Sequence, residues 1–118
     1  MSLSWGEIRT EEELEKVVSG IEVPSNKFTL ILKHSTRCVL SSMAKNRLER
    51  SPDERLSYFI IDVIADRSIS NALADKTDVR HESPQMFLFS GSNLISVKSH
   101  MAISPSEVST RLDSLVKA

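Results

Sequence analysis

Two short apolar runs with one helical pattern between them constrain this chain more than any other feature. Phe28-Thr29-Leu30-Ile31-Leu32-Lys33 and Leu56-Ser57-Tyr58-Phe59-Ile60-Ile61-Asp62 are rich in β-forming residues. Both are nearly all apolar, as strands covered on both faces are. Between them Leu40, Met43, Ala44 and Leu48 fall on one helical face, with Lys45, Arg47, Glu49 and Arg50 elsewhere and Ser51-Pro52 closing the helix. Strand, helix, strand predicts a right-handed βαβ unit with the strands parallel. Functional groups in such sheets collect beyond the carboxyl ends of the strands. The segment at that point is Lys33-His34-Ser35-Thr36-Arg37-Cys38-Val39-Leu40-Ser41-Ser42, and it holds the only cysteine in the chain.

The flanking segments extend the pattern. Thr10 followed by Glu13 has capping-box spacing, and Leu14, Val17, Val18 and Ile21 recur at helical intervals until Ser19-Gly20 ends the helix and Pro24-Ser25-Asn26 forms a loop. A shorter helix is expected over residues 68–76, with Ile69, Ala72 and Leu73 turned inward. After Pro84, Met86-Phe87-Leu88-Phe89, the turn Ser90-Gly91-Ser92-Asn93 and Leu94-Ile95-Ser96-Val97-Lys98 read as a hairpin. Ser104-Pro105-Ser106-Glu107 is a helix start, and Val108, Leu112, Leu115 and Val116 give that helix its apolar stripe. The expected order is α-β-α-β-α-β-β-α in one domain spanning 1–118, with no repeat and no low-complexity tract.

Charge and cysteine usage exclude several functions. Fifteen basic against 16 acidic residues leave a net charge of −1, so a nucleic-acid footprint is not expected. The apolar runs are far too short to span a bilayer, so no membrane partner is expected. Met1-Ser2-Leu3-Ser4-Trp5-Gly6-Glu7 lacks a basic region followed by an apolar one, so no signal peptide is expected. One cysteine makes no internal disulfide and no four-cysteine zinc site, which fits a reducing cytoplasm. His34, His81 and His100 show no metal-ligand spacing of the His-Glu-x-x-His kind, and no metal is expected.

Cys38 falls where the apolar run stops and the helix begins. Unpaired N–H groups and the dipole of a helix start favour an anion, so they should lower the thiol pKa and raise the thiolate fraction. The residue three along is Ser41, not a second cysteine, so any sulfur chemistry here uses one sulfur atom. A buried structural cysteine is the alternative. Ser41 is a candidate hydrogen-bond donor to the thiolate, or a plain first-turn serine. Arg37 is a candidate to stabilise the anion or meet a substrate carboxylate, or an exposed arginine with no specific task. Thr36 joins the candidate substrate-binding set, with helix capping, by it or by Ser35, as the other reading. His34 is a candidate proton shuttle or a packed ring. Arg80 and His81 are candidates to contact an anionic thiol, or solvated loop residues.

The element order resembles the thioredoxin fold. His34-Ser35-Thr36-Arg37-Cys38 followed by Ser41-Ser42, together with Val79-Arg80-His81-Glu82-Ser83-Pro84-Gln85, resembles the YtxJ family, the monothiol bacilliredoxins, over roughly the whole chain. One departure is Val39, where the family commonly has proline; it bears on the thiol pKa and redox potential. The resemblance implies a three-layer α/β/α fold around a central four-stranded mixed sheet. It also implies that Pro84 is a cis-proline facing the cysteine, leaving the backbone of Ser83 free to pair with a bound thiol or peptide.

Residues and resemblance together set the expectation of a monothiol thiol–disulfide oxidoreductase. It would act through Cys38 and Ser41, bind substrate with Arg37, Thr36, Ser83, Pro84 and Arg80, and need no cofactor beyond bacillithiol, or a similar low-molecular-weight thiol, as co-substrate. Proteins carrying mixed disulfides would be its partners. A non-catalytic redox sensor or interaction adaptor on the same fold is the alternative. A cluster-holding monothiol glutaredoxin is disfavoured: the Gly-Phe such proteins carry between cysteine and serine is Val39-Leu40 here, and their Gly-Gly before the last helix is absent.

Overall fold

A computed structural model describes residues 3–116. The elements are β1 (Trp5–Glu7), α1 (Glu11–Val18), β2 (Phe28–His34), α2 (Val39–Arg50), β3 (Leu56–Asp62), α3 (Arg67–Thr77), β4 (Gln85–Ser90), β5 (Asn93–Ser99), a 3-10 turn (His100–Ala102) and α4 (Pro105–Val116). The sheet runs β1-β3-β2-β4-β5, so the expected four strands become five. β3 lies parallel to both β1 and β2, while β4 is antiparallel to β2 and β5.

The additional strand has a physical reason. Trp5–Glu7 is three residues long, too short to show a period of two, and its pairing comes from β3, through Trp5 with Tyr58 and Gly6 with Phe59. Gly6 permits the approach: a Cβ there would stand 2.8 Å from the Phe59 ring. The Trp5 indole N–H donates to Glu49 Oε2 at 2.7 Å, and its ring meets Tyr58 edge-on with centroids 5.4 Å apart.

Strand alternation sends side chains to two separate cores. Leu30, Leu32, Tyr58, Met86 and Leu88 pack under α2 and α4, against Ala44, Leu48, Val108 and Leu112. Ile31, Ile61, Phe87 and Phe89 face α1 and α3, against Leu14, Val17, Ile69 and Leu73. These two layers make the βαβ unit a three-layer α/β/α structure.

Helix ends largely follow the sequence. Thr10 Oγ1 accepts from Glu13 N at 3.1 Å, and Glu13 Oε1 turns back to accept from Arg9 N at 3.2 Å. Ser104 Oγ accepts from Glu107 N at 3.4 Å at the start of α4. Three expectations about helix faces are corrected. In α4 the buried residues are Val108 and Leu112, and Val116 is 62% exposed. Ile21 lies beyond the end of α1 and is 76% exposed. In α2 the buried stripe is Ser41, Ala44 and Leu48, and the helix is turned so that Leu40 and Met43 are 43% and 44% exposed.

The turn between α2 and β3 is tied to α4. Asp53 accepts from Arg55 through both carboxylate oxygens, at 3.0 Å to Nε and 2.8 Å to Nη2, and Ser109 Oγ donates to Asp53 Oδ2 at 2.9 Å. Arg55 also reaches Asp113 at 2.7 Å. These bonds, those from Arg55 above all, pull the Asp53 pKa down to about 2. A depressed carboxylate pKa adds stability above its unfolded value near 3.8, lost as pH falls through about 2. Asp53→Asn is expected to lower unfolding free energy by about 1–2 kcal/mol at pH 7. Urea denaturation across pH should show the gap from the parent closing below about pH 4.

Candidate active site

The site is built where β2 gives way to α2. Cys38 has an extended backbone (φ −114°, ψ 121°) and occupies the N-cap position of α2. At an N-cap, a side-chain oxygen ordinarily accepts from the amide of the second or third helical residue. The Cys38 side chain makes no such cap hydrogen bond, but Leu40 N–H and Ser41 N–H stand near enough to its sulfur to favour the anion. They lower the thiol pKa from its ordinary value. Ser41 N–H is the largest cause, desolvation comes second and opposes it, and Leu40 N–H and then the Ser41 hydroxyl add to the lowering. Cys38 itself is partly exposed.

Neither polar residue ahead of the cysteine caps the helix, which corrects the capping expectation. Ser35 Oγ accepts from Arg37 N at 3.3 Å and so tightens the loop, while Thr36 is exposed. An oxygen cap would compete with sulfur for the same two amides. Cys38 N donates to Ser35 O at 3.2 Å, which closes the turn that delivers the sulfur to the helix start.

Ser41 is buried between the two halves of the site. Its Oγ accepts from Ser35 N at 3.3 Å and lies 3.5 Å from Ser83 Oγ. With Ser35 on one lone pair, the Ser41 proton remains free for the thiolate or for Ser83. The Ser83–Pro84 peptide bond is cis. Pro84 is buried and its carbonyl accepts from His100 N at 3.0 Å. Ser83 is half-buried, and among the described residues neither its N–H nor its C=O makes a backbone hydrogen bond. The structure thus brings Cys38, Ser41, Ser83 and Pro84 together.

The arginines stand apart from that core. Arg37 and Arg80 are both exposed, and neither guanidinium has an ion-pair partner among the described residues. His34 is buried, and burial first and Lys45 second hold its pKa below the ordinary value, so the ring is a packed neutral group at pH 7. His81 is exposed as a residue, yet its Nδ1 lies 3.1 Å from Lys33 Nζ and 3.2 Å from Ser70 Oγ. The one signal in the sequence that marks Lys33 is a charged residue near the end of an apolar strand.

Cys38 is partly exposed and lines neither of two sizeable surface clefts. A cleft of about 560 Å³ between β5 and α4 is floored by Met86, Leu88 and Ile95, away from the thiol. Another, of about 510 Å³, reaches Thr36 and His34 beside Trp5, Lys45 and Asp62. Around the thiol itself, Val39, Leu40 and Met43 are exposed apolar side chains, Val39 at 75%.

Residues 6–108 match the family model for the monothiol bacilliredoxin BrxC. Among solved structures, the chain is similar to a protein described as a candidate oxidoreductase with a thioredoxin fold, at 28% identity and a TM-score of 0.77, over 89% of this chain and 90% of the other. It also resembles a structure concerning the thiol-resolving mechanism of a yeast mitochondrial 1-Cys peroxiredoxin via glutathione/thioredoxin systems, at 16% identity and a TM-score of 0.71, over 97% and 99% of the two chains. A thioredoxin from Trypanosoma brucei brucei shares 12% identity with a TM-score of 0.73, over 100% and 96%. The last two establish likeness of fold.

Val39 takes the first helical position of α2, and the two amides near the sulfur follow it. Proline is favoured at that position, and it requires an extended residue before it, which Cys38 is. Val39→Pro is therefore expected to leave the pH dependence of Cys38 alkylation unaltered while raising stability by about 0.5–1 kcal/mol. Ser41→Ala removes the hydroxyl but keeps the amide, so iodoacetamide alkylation at pH 7 should slow by about threefold rather than collapse.

Proposed function

The chain belongs to the monothiol bacilliredoxin family, and on that premise we propose that it removes bacillithiol, or a similar low-molecular-weight thiol, from protein mixed disulfides through Cys38. The coarser chemistry, thiol–disulfide exchange on a thioredoxin fold, follows from family and fold together. The observation that carries the proposal is the Cys38 sulfur at the N-cap of α2, near Leu40 N–H and Ser41 N–H, with Ser41 where a resolving cysteine would stand.

The steps follow from that arrangement. The Cys38 thiolate attacks the small-thiol sulfur of a protein mixed disulfide. A new S–S bond joins Cys38 to the small thiol while the old one breaks, and the freed protein thiolate takes a proton from water. Since Ser41 carries no sulfur, the chain cannot resolve this adduct internally. A second small-thiol thiolate attacks the bound small-thiol sulfur, releasing Cys38 as thiolate and a symmetrical small-molecule disulfide, which carries away the oxidation.

Ser41 would hold the anion and link it to Ser83. The unpaired backbone of Ser83, beside Pro84, would align the incoming chain. Arg37, Thr36 and Arg80, all exposed, would meet carboxylates of the small thiol. The reducing cytoplasm is the setting in which a lone thiol serves this cycle.

The test is a protein carrying a bacillithiol mixed disulfide, incubated with free bacillithiol and followed by mass spectrometry. Wild-type chain should clear the adduct and show a Cys38–bacillithiol intermediate, and Cys38→Ala should return the rate to background. An equal rate in Cys38→Ala sinks the proposal. An ordinary thiol pKa without turnover moves the chain to the sensor or adaptor reading.

A further inference from the structure

Lys33 is the anomaly of the fold. It sits one residue before the end of β2, on the face that packs against α1 and α3, and is 0% exposed. Burying an ammonium costs several kcal/mol unless it is paired. Among the described residues no carboxylate pairs with it. Its neighbours are His81 Nδ1 at 3.1 Å and the Phe87 ring, 5.6 Å from Nζ to the centroid. A methionine would fill the same space without that cost, so the charge calls for a reason.

The bonding supplies one. An ammonium only donates, so His81 Nδ1 must accept, which places the ring proton on Nε2. Ser70 of α3 lies 3.2 Å from the same nitrogen. Lys33 also pairs directly with Gln85 across the β2–β4 ladder, and residues opposite one another in an antiparallel pair point to the same face. Gln85 grips the same loop: its Nε2 donates to Arg80 O at 3.0 Å and its Oε1 accepts from Glu82 N at 3.4 Å. One rung of the sheet therefore holds Arg80, His81 and Glu82, and the next residues are Ser83 and cis Pro84.

We propose that Lys33, acting through His81, is a positioning residue: it fixes residues 80–82 on the β2–β4 rung and so sets the unpaired Ser83 backbone opposite Cys38, where substrate is aligned. The word substrate rests on the function proposed above; the link itself does not. Removing it should loosen the loop and weaken substrate alignment while leaving the thiol alone, because the groups that tune Cys38 all lie in α2.

Acid should undo the link. Burial first, then Lys33 and Arg67, keep the His81 pKa below its ordinary value, with Glu82 opposing. Once His81 is protonated, Nδ1 no longer accepts, and Lys33 loses its partner. Loss of protons from Lys33, whose pKa is lowered to about 8, leaves an amine that can accept from Nδ1–H, so base does not break the contact.

The experiment compares wild type, Lys33→Met, His81→Ala and the double variant. In wild type at neutral pH, ¹⁵N NMR should show His81 Nδ1 unprotonated, and in Lys33→Met the His81 titration should move up toward the ordinary histidine value. Amide exchange at Glu82 and Ser83 should speed by about tenfold in each single variant. KM for a mixed-disulfide protein should rise about fivefold in each and no further in the double, with Cys38 alkylation unchanged. A protonated Nδ1 in wild type, additive effects in the double variant, or unaltered loop exchange in His81→Ala, which alters only a loop side chain, would each overturn the proposal. If no mixed disulfide is turned over by any form, the functional reading fails, and the NMR and exchange results still decide whether the link exists.

Discussion

A sulfur atom at a helix N-cap is the interaction on which the site depends. Leu40 N–H and Ser41 N–H have no carbonyl partner within α2, and the Cys38 sulfur stands near them. A neutral thiol is a weak acceptor and a thiolate a strong one, so the helix start discriminates between the two protonation states. The linkage runs both ways. A thiol whose folded pKa is lowered adds stability above its unfolded value, and that stability is lost as pH falls through the folded one. The start of the helix that activates the sulfur is therefore better stabilised when the sulfur is charged, and loses that contribution whenever the sulfur is protonated or tied up in a disulfide.

Placing the sulfur there dictates how α2 rolls on the sheet. Ser41 must point inward to reach Ser35 N and Ser83 Oγ, and the inward stripe then continues through Ala44 and Leu48. Leu40 and Met43, displaced to the flank, stand exposed with Val39 around the thiol. A polar group in the buried stripe and apolar groups on the surface run against ordinary patterning. Both departures fall within six residues of Cys38, where local rules are expected to yield to a site.

Much of this was legible in the chain, and what was not has definite causes. The βαβ unit showed because its strands are continuous apolar runs and its helix has clear ends. Cys38 showed because it lies at the boundary between two periodicities. The roll of α2 did not, since Leu40, Met43, Ala44 and Leu48 form an acceptable apolar face until Ser41 is known to bond across the site. β1 was hidden by its brevity and by the fact that its pairing partner, β3, is some fifty residues away. Ser35 and Thr36 looked like caps by residue type, and only the backbone turn shows that Ser35 Oγ is already used by Arg37 N. Lys33 and His81, 48 residues apart, have no local pattern that could connect them.

Trp5 gives the active helix a built-in optical reporter. It is the only tryptophan in the chain, its indole N–H is bonded to Glu49 of α2, and its ring rests edge-on against Tyr58 of β3. Lys45 Nζ, also on α2, lies 5.9 Å from the indole centroid. The emission of a single fluorophore thus samples the seating of the same helix that begins at Cys38, one face held by the sheet and the other by two charges of that helix. Light absorbed at the sheet edge reads out the element that carries the sulfur, with no label attached and no second tryptophan to blur the signal.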